Sequence, residues 1–270
     1  IGFGGGSAID AAKAIAVGVG TEEDIGEFYY YGKEPGKSTL PILAMPTTAG
    51  TGSELSKAAI ITDERQKMKN GVRGEALYPT VAIVDSVFTE SVPSQITMET
   101  GFDVFAHAVE SYMSKAASPY TQMQSEYVIR IVGKYLPRLY VNLKDIEARE
   151  KMSFASMLMG INLGNAGTCL PHRLQYPLGA YTDTSHGAGL AALFSSWVSC
   201  EYAYASDKLE RVAALLTGEE IHRRDYNGNL SLGSSACTSV IRQFIKELQL
   251  PASLQELRVE RAQLSHMASG

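Results

Sequence analysis

Cysteine is scarce: Cys169, Cys200 and Cys237 are the whole complement of this 270-residue chain, odd in number, widely spaced and without a CxxC. That excludes a disulfide framework and a zinc knuckle, and the three read as reduced core thiols. Uninterrupted apolar runs are also missing, since no stretch approaches the roughly 20 residues that a bilayer crossing requires. No charged segment precedes an apolar one at the start, so the chain reads as cytoplasmic, with no membrane partner. Positive charge is in deficit, with 24 Lys and Arg against 29 Asp and Glu, a net charge of -5. This removes the basic footprint of a nucleic-acid binder and leaves small soluble molecules as the expected partners.

What is present has two characters. Before residue 91, the short apolar runs IGF, LPILAMPTT and TVAIVD are bounded by Gly or Pro, as buried strands of a mainly parallel sheet are. Between the first two lies an Ala-rich helix expected over residues 7–19, with Ser7 as its cap and Asp10 in its first turn. After SVPSQIT the periods become helical, over 99–114, 120–141, 146–163, 187–205, 206–216 and 232–248, and Asn227 to Asn229 mark a turn before the last of these. The expected organisation is therefore an α/β unit over 1–91 and an all-helical unit over 92–270. The chain opens on Ile1 at the tail of a strand and closes on RAQLSHMASG without a capping signal, so further protein is expected before and after it.

Two loops on the α/β unit suit a phosphate. Gly4, Gly5, Gly6 and Ser7 form a strand-to-helix turn through which backbone can approach an anion while the helix N-terminus attracts its charge. PTTAGTGSE, from Pro46 to Glu54, repeats the small and hydroxylated chemistry after the second strand. Either loop alone is an ordinary tight turn. Both at the carboxyl edge of one sheet, where open α/β sheets bind ligands, favour phosphate binding.

The helical unit holds the sharper signal. Asp103 and His107, in GFDVFAHAVESY, stand four apart and so share a helix face, while His172 and His186 bracket HRLQYPLGAYTDTSH. One carboxylate with three imidazoles suits Fe(II) or Zn(II), not the oxygen shells of Mg(II) or Ca(II). A single histidine in a helical protein is ordinarily a satisfied core or surface residue; here the combination carries the reading, because Asp103 in an apolar run would be a costly buried carboxylate without a cation. His222 and His266 lie among charged or terminal residues and read as surface. Glu110, one turn beyond His107, reads as a solvent-facing helix residue that could alternatively accept a hydrogen bond from a ligand.

GGGSAIDAAK, LPILAMPTTAGTGSE, TVAIVD, GFDVFAHAVESY and the His172 to His186 segment resemble, in order and spacing, the iron-containing (group III) alcohol dehydrogenases. The resemblance implies a truncated Rossmann-like cofactor domain followed by an all-α metal-binding domain, in the architecture shared with dehydroquinate synthases. It also implies a homodimer or larger homo-oligomer, Fe(II) or Zn(II) on Asp103, His107, His172 and His186, and NAD or NADP against Gly4, Gly5, Gly6, Ser7, Asp10, Thr47, Thr48, Ser53 and Lys69. The activity it implies is hydride transfer between a primary alcohol and nicotinamide; the alternative is a metal-binding fragment without turnover, because the family's segment before the GGGS turn is absent. Lys69, in a charged run, would otherwise read as solvated. Tyr176 stands where many members carry a histidine near the substrate and is expected to hydrogen-bond a substrate oxygen or relay a proton. Phe3 and Tyr181 are expected to shape the cleft.

Overall fold

The computed structural model describes residues 1–219 and 229–268. Its strands all lie in the first third. β1 (Gly2–Gly4), β2 (Leu43–Pro46) and β5 (Val81–Ala82) form a parallel sheet in the order β1-β2-β5, with Gly2 beside Ala44 and Leu43 beside Val81. The expected parallel strands are thus present, although only two residues of TVAIVD pair. Helix α1 (Gly6–Val19) crosses from β1, and the short α2 (Ile25–Tyr29) follows, capped by the Asp24 side chain on Gly26 N. Ser7 does not cap α1: the extended residue before the helix is Gly5, and no side chain bonds the first turn. Asp10 is buried and engaged away from its own helix, accepting from Ser53 Oγ and from Ile60 N at 3.0 Å.

An antiparallel hairpin of β3 (Ala58–Asp63) and β4 (Met68–Arg73) lies outside that sheet, running from Ala58 beside Arg73 to Asp63 beside Met68. The sequence reading missed it, since TDERQKMK looks like a solvated charge run. Its turn is built by Asp63, whose carboxylate accepts from the amides of Arg65 and Gln66, and by Lys67 at a φ of 52°. Tyr29 of α2 bonds Ile61 O and Met68 O, fastening the hairpin to the first helices.

From Ser94 onward every element is helical. α3 (Ser94–Met113) is buried along nearly its whole length and packs against α4 (Pro119–Val141), α5 (Ile146–Asn165) and α7 (His186–Thr217). A helix buried all round belongs at a core, and Phe102 and Phe105 make it one, each 5.6 Å ring to ring from Phe194 of α7. Phe244 of α8 (Leu230–Glu247) joins them 5.4 Å from Phe105. Arg149 of α5 ties the chain that enters α3 to the turn before α5, donating to Thr97 Oγ1 and Val92 O on one side and to Leu143 O on the other, at 3.0 to 3.2 Å.

Three further expectations need correction. The stretches 187–205 and 206–216 are one helix, α7, broken only at Ala205, whose φ of -145° and ψ of 41° kink it. The segment between His172 and His186 contains α6 (Leu170–Thr182), hidden from periodicity by Pro171 in its first turn and Pro177 inside. The third concerns the cysteines: Cys237 is buried and Cys169 partly so, but Cys200 is exposed. Asn229 caps α8 through Ser231 N and Leu232 N; Asn227, Gly228 and His222 lie outside the described residues, as does the side chain of His266. α9 (Arg261–Ala268) closes the chain, and no described helix is long and apolar enough to cross a membrane.

Candidate metal centre and cofactor loops

Burial and backbone direction bring four distant side chains to one point. Asp103 and His107 project from successive turns of α3, His172 comes from the first turn of α6, and His186 opens α7. The Nε2 atoms of His107, His172 and His186 stand 3.5, 3.4 and 3.5 Å from the same atom, Asp103 Oδ1. Asp103, His107 and His172 are almost wholly buried, while a quarter of the His186 side chain is accessible. The His107 and His172 rings stack at 4.6 Å.

These contacts are too long to be hydrogen bonds. Asp103 Oδ1 and His172 Nε2 are buried without a partner among the described residues, an arrangement that costs free energy unless something else satisfies them. Donor atoms held about 2.1 Å from one tetrahedral ion lie roughly 3.4 Å apart. The orphaned atoms therefore fit a divalent transition metal, and Asp103, His107 and His172 form a compact cluster of metal-binding type with His186 beside it.

The opposite edges of two of these imidazoles are tied down. His172 Nδ1 lies 2.6 Å from Glu110 Oε1, and Glu110 Oε2 accepts from Cys169 N at 2.5 Å, holding the start of α6 in place. Glu110 is fully buried, so the solvent-facing reading fails; its position one turn after His107 on the face of Asp103 was the available signal. His186 Nδ1 is bonded to Gln175 Oε1, and Gln175, also fully buried and unremarked in the sequence, follows His172 by one turn of α6. Both partners leave the Nε2 edges facing Asp103.

Charge follows this geometry. Burial would raise Asp103, but His107, His186 and His172 outweigh it and hold the carboxylate far below its ordinary range. Burial opposes charge on His172, yet the Glu110 and Asp103 carboxylates bring it up to about 10. Burial lowers His107. Burial and Glu110 push the Cys169 thiol up to about 11.

The two loops meet. Thr47 N donates to Gly4 O at 2.9 Å, and a Cβ on Gly6 would come within 2.6 Å of the Thr51 side chain. Gly52, at a φ of 61°, lies so close to Gly160 of α5 that a Cβ would stand 2.6 Å from its Cα, so this glycine serves helix packing. Asp10 and Ser53 bond one another and brace the second loop against α1. Lys13, which the sequence reading passed over, is fully buried and donates to Ser56 O at 2.7 Å and Ala58 O at 2.9 Å. Burial pushes its ammonium down to about 8 against the pull of Asp10 and Glu54. Thr47 and Thr48 remain half-buried at the meeting point, beside the uncapped N-terminus of α1 where Gly5, Gly6 and Ser7 sit.

Lys69 is not solvated in a charge run. It lies on β4, half-buried, with Nζ 5.8 Å from the centre of the Tyr176 ring. Tyr176 in turn stands 6.4 Å, ring to ring, from His186. Burial chiefly raises its phenol. Phe3 packs edge-on against Phe88 at 5.4 Å, and Tyr181 is partly exposed near the end of α6.

Comparison with known proteins agrees across both parts. Residues 97–270 match the family model described as Fe-containing alcohol dehydrogenase family, C-terminal, and residues 1–86 match iron-containing alcohol dehydrogenase. An NAD-dependent methanol dehydrogenase of Bacillus methanolicus is 31% identical over 99% of this chain and 69% of its own length. A sulfoacetaldehyde reductase of Bilophila wadsworthia is 32% identical over 98% and 67%. The solved sulfoacetaldehyde reductase of Bifidobacterium kashiwanohense in complex with NAD+ superposes with a TM-score of 0.85 at 28% identity, over 98% of this chain and 67% of that one. The chain thus spans about two thirds of the length of these proteins.

Proposed function

We propose, from the premise that this chain belongs to the iron-containing alcohol dehydrogenase family, that it interconverts a primary alcohol and its aldehyde with NAD or NADP, using a metal held by Asp103, His107, His172 and His186. The observation that carries the proposal is the convergence of three imidazole Nε2 atoms within 3.5 Å of one unpartnered, buried carboxylate oxygen. When bound there, Fe(II) or Zn(II) supplies Lewis acidity that favours alkoxide in one direction and polarises the carbonyl in the other, and nicotinamide carries the hydride.

The protein's own contribution is placement. The bare amides at the start of α1, with Gly4, Gly5, Gly6 and Ser7, offer donors and a dipole to the cofactor phosphates, and Thr47 and Thr48 add hydroxyls beside them. Asp10, Lys13 and Ser53 hold the two loops in register. Lys69 extends from β4 toward the same space and helps to seat the cofactor. Tyr176, beside His186, donates a hydrogen bond to the substrate oxygen or passes its proton outward; its raised pKa makes it an acid or donor, not a base, near neutrality. The buried α3 wall keeps bulk water from one side of the centre, and the partly accessible His186 marks the open side.

The test is anaerobic reconstitution of the metal-stripped chain with Fe(II) or Zn(II), followed over short aldehydes with NADH and NADPH. Metal-dependent oxidation of one nicotinamide is expected. Asp103→Ala and His186→Ala should each abolish stoichiometric metal binding, and retention of metal by both variants refutes the ligand assignment.

A further inference from the structure

Two cations gather beside this site without a direct ion pair among the described residues. Lys69 and Arg73 share one face of β4, because residues two and four apart on a strand project alike. Gly71 lies between them, and the Arg73 guanidinium folds over it, donating to Gly71 O at 3.1 Å; a Cβ at residue 71 would stand 3.1 Å from the guanidinium carbon. So turned, Arg73 meets the Tyr176 side chain, while Lys69 Nζ lies over the same ring. Neither cation makes an ion pair among the described residues, unlike Lys33, Lys57, Arg138 and Arg211. The carboxylates that act on Lys69 are Asp103 and Asp10. Asp10 is taken by Ser53 and Ile60, and Asp103 Oδ1 faces the three histidine Nε2 atoms at 3.4 to 3.5 Å.

From this we infer that Lys69, Arg73 and the Tyr176 hydroxyl form a subsite for the negatively charged far end of the substrate, so that the chain prefers aldehydes carrying a carboxylate or sulfonate to neutral ones. The inference rests on the dehydrogenase reading above. The phosphate of the cofactor has the same chemistry, but Lys69 and Arg73 meet at the Tyr176 side chain, next to His186. Lys69 serves both neighbours. Arg73 is the residue that separates substrate from cofactor.

The experiment compares succinate semialdehyde with butanal, which share a four-carbon aldehyde skeleton and differ in the terminal charge. The wild-type chain should show a kcat/KM at least about 10-fold higher for the anionic aldehyde. Arg73→Met should shrink that ratio about 10- to 100-fold, the range expected for one charge-assisted hydrogen bond, and Arg73→Lys should restore part of it. Succinate, which cannot be reduced, should raise the melting temperature of the wild-type chain and leave that of Arg73→Met unmoved. Equal activity on both aldehydes overturns the inference while the dehydrogenase reading stands. Weaker NADH binding in Arg73→Met with an unchanged aldehyde ratio overturns it in favour of the cofactor phosphate. If neither aldehyde is reduced, the dehydrogenase reading fails, and the succinate shift alone decides whether the anion site exists.

Discussion

Replacing Glu110 by Gln isolates one oxygen of a buried carboxylate. Glu110 accepts twice, from His172 at 2.6 Å and from Cys169 N at 2.5 Å. An amide of the same shape can accept at one end only, and its NH2 then faces an N–H at the other. The loss is one charge-assisted hydrogen bond in a dry setting, about 1.5–3 kcal/mol, which lowers the melting temperature by about 3–12 °C at this chain length. Metal affinity should fall about 10- to 100-fold, because His172 loses the partner that orients its ring. The pH dependence has a definite sign. In the metal-free chain His172 is raised to about 10, above its unfolded value of about 6.5. Its ion-pair contribution is therefore complete below pH 6.5 and disappears as the pH climbs toward 10. The gap in melting temperature between the wild type and Glu110→Gln should be widest at pH 6 and close toward pH 10. Thermal melts of the metal-free chains across that range, with calorimetric metal titration at neutral pH, provide the measurement. Wild-type metal affinity in Glu110→Gln, or a gap that widens with pH, refutes the reasoning.

Other expectations concern the supports of the same centre. Gln175→Leu removes the acceptor from His186 Nδ1 and should weaken metal binding about 10-fold, read by competition with a chelator. Lys13→Met strands two buried carbonyls and leaves Asp10 and Glu54 uncompensated, so about 3–5 kcal/mol of stability should go, measured by urea denaturation. Gly160→Ala sets a methyl group 2.6 Å from Gly52 O and should cost about 1–3 kcal/mol while weakening NADH binding, followed by fluorescence; unaltered cofactor affinity would separate this contact from the loop's function.

The candidate metal cluster was legible because the chemistry proposed for it demands rare residue types, and a helix turns a spacing of four into proximity. Its supports were less so. Glu110 and Gln175 are common helix residues whose burial is decided by the start of α6 meeting Glu110 and by α6 packing on α7, tertiary events that a one-dimensional period does not register. Prolines disguise α6, and a charge-rich turn disguises the β3–β4 hairpin, so only the family resemblance marks Lys69 and no pattern in the sequence marks Arg73. The parallel strands showed clearly, being apolar runs between turn residues. Ser7 and Asp10 illustrate the opposite error: both suit a helix start, but Gly5 supplies the cap position and Asp10 is claimed by the second loop.

Lys13 gives this arrangement a mechanical consequence. Its amine reaches 43 and 45 positions along the chain to grip Ser56 O and Ala58 O, so the helix behind the first loop and the strand behind the second are bolted by one side chain. The two loops are therefore coupled, and a shift of one is expected to carry the other. Any opening that admits or releases a nucleotide has to swing both loops together or break the grip of Lys13, and a slow step in release would be felt at a lysine remote from the metal.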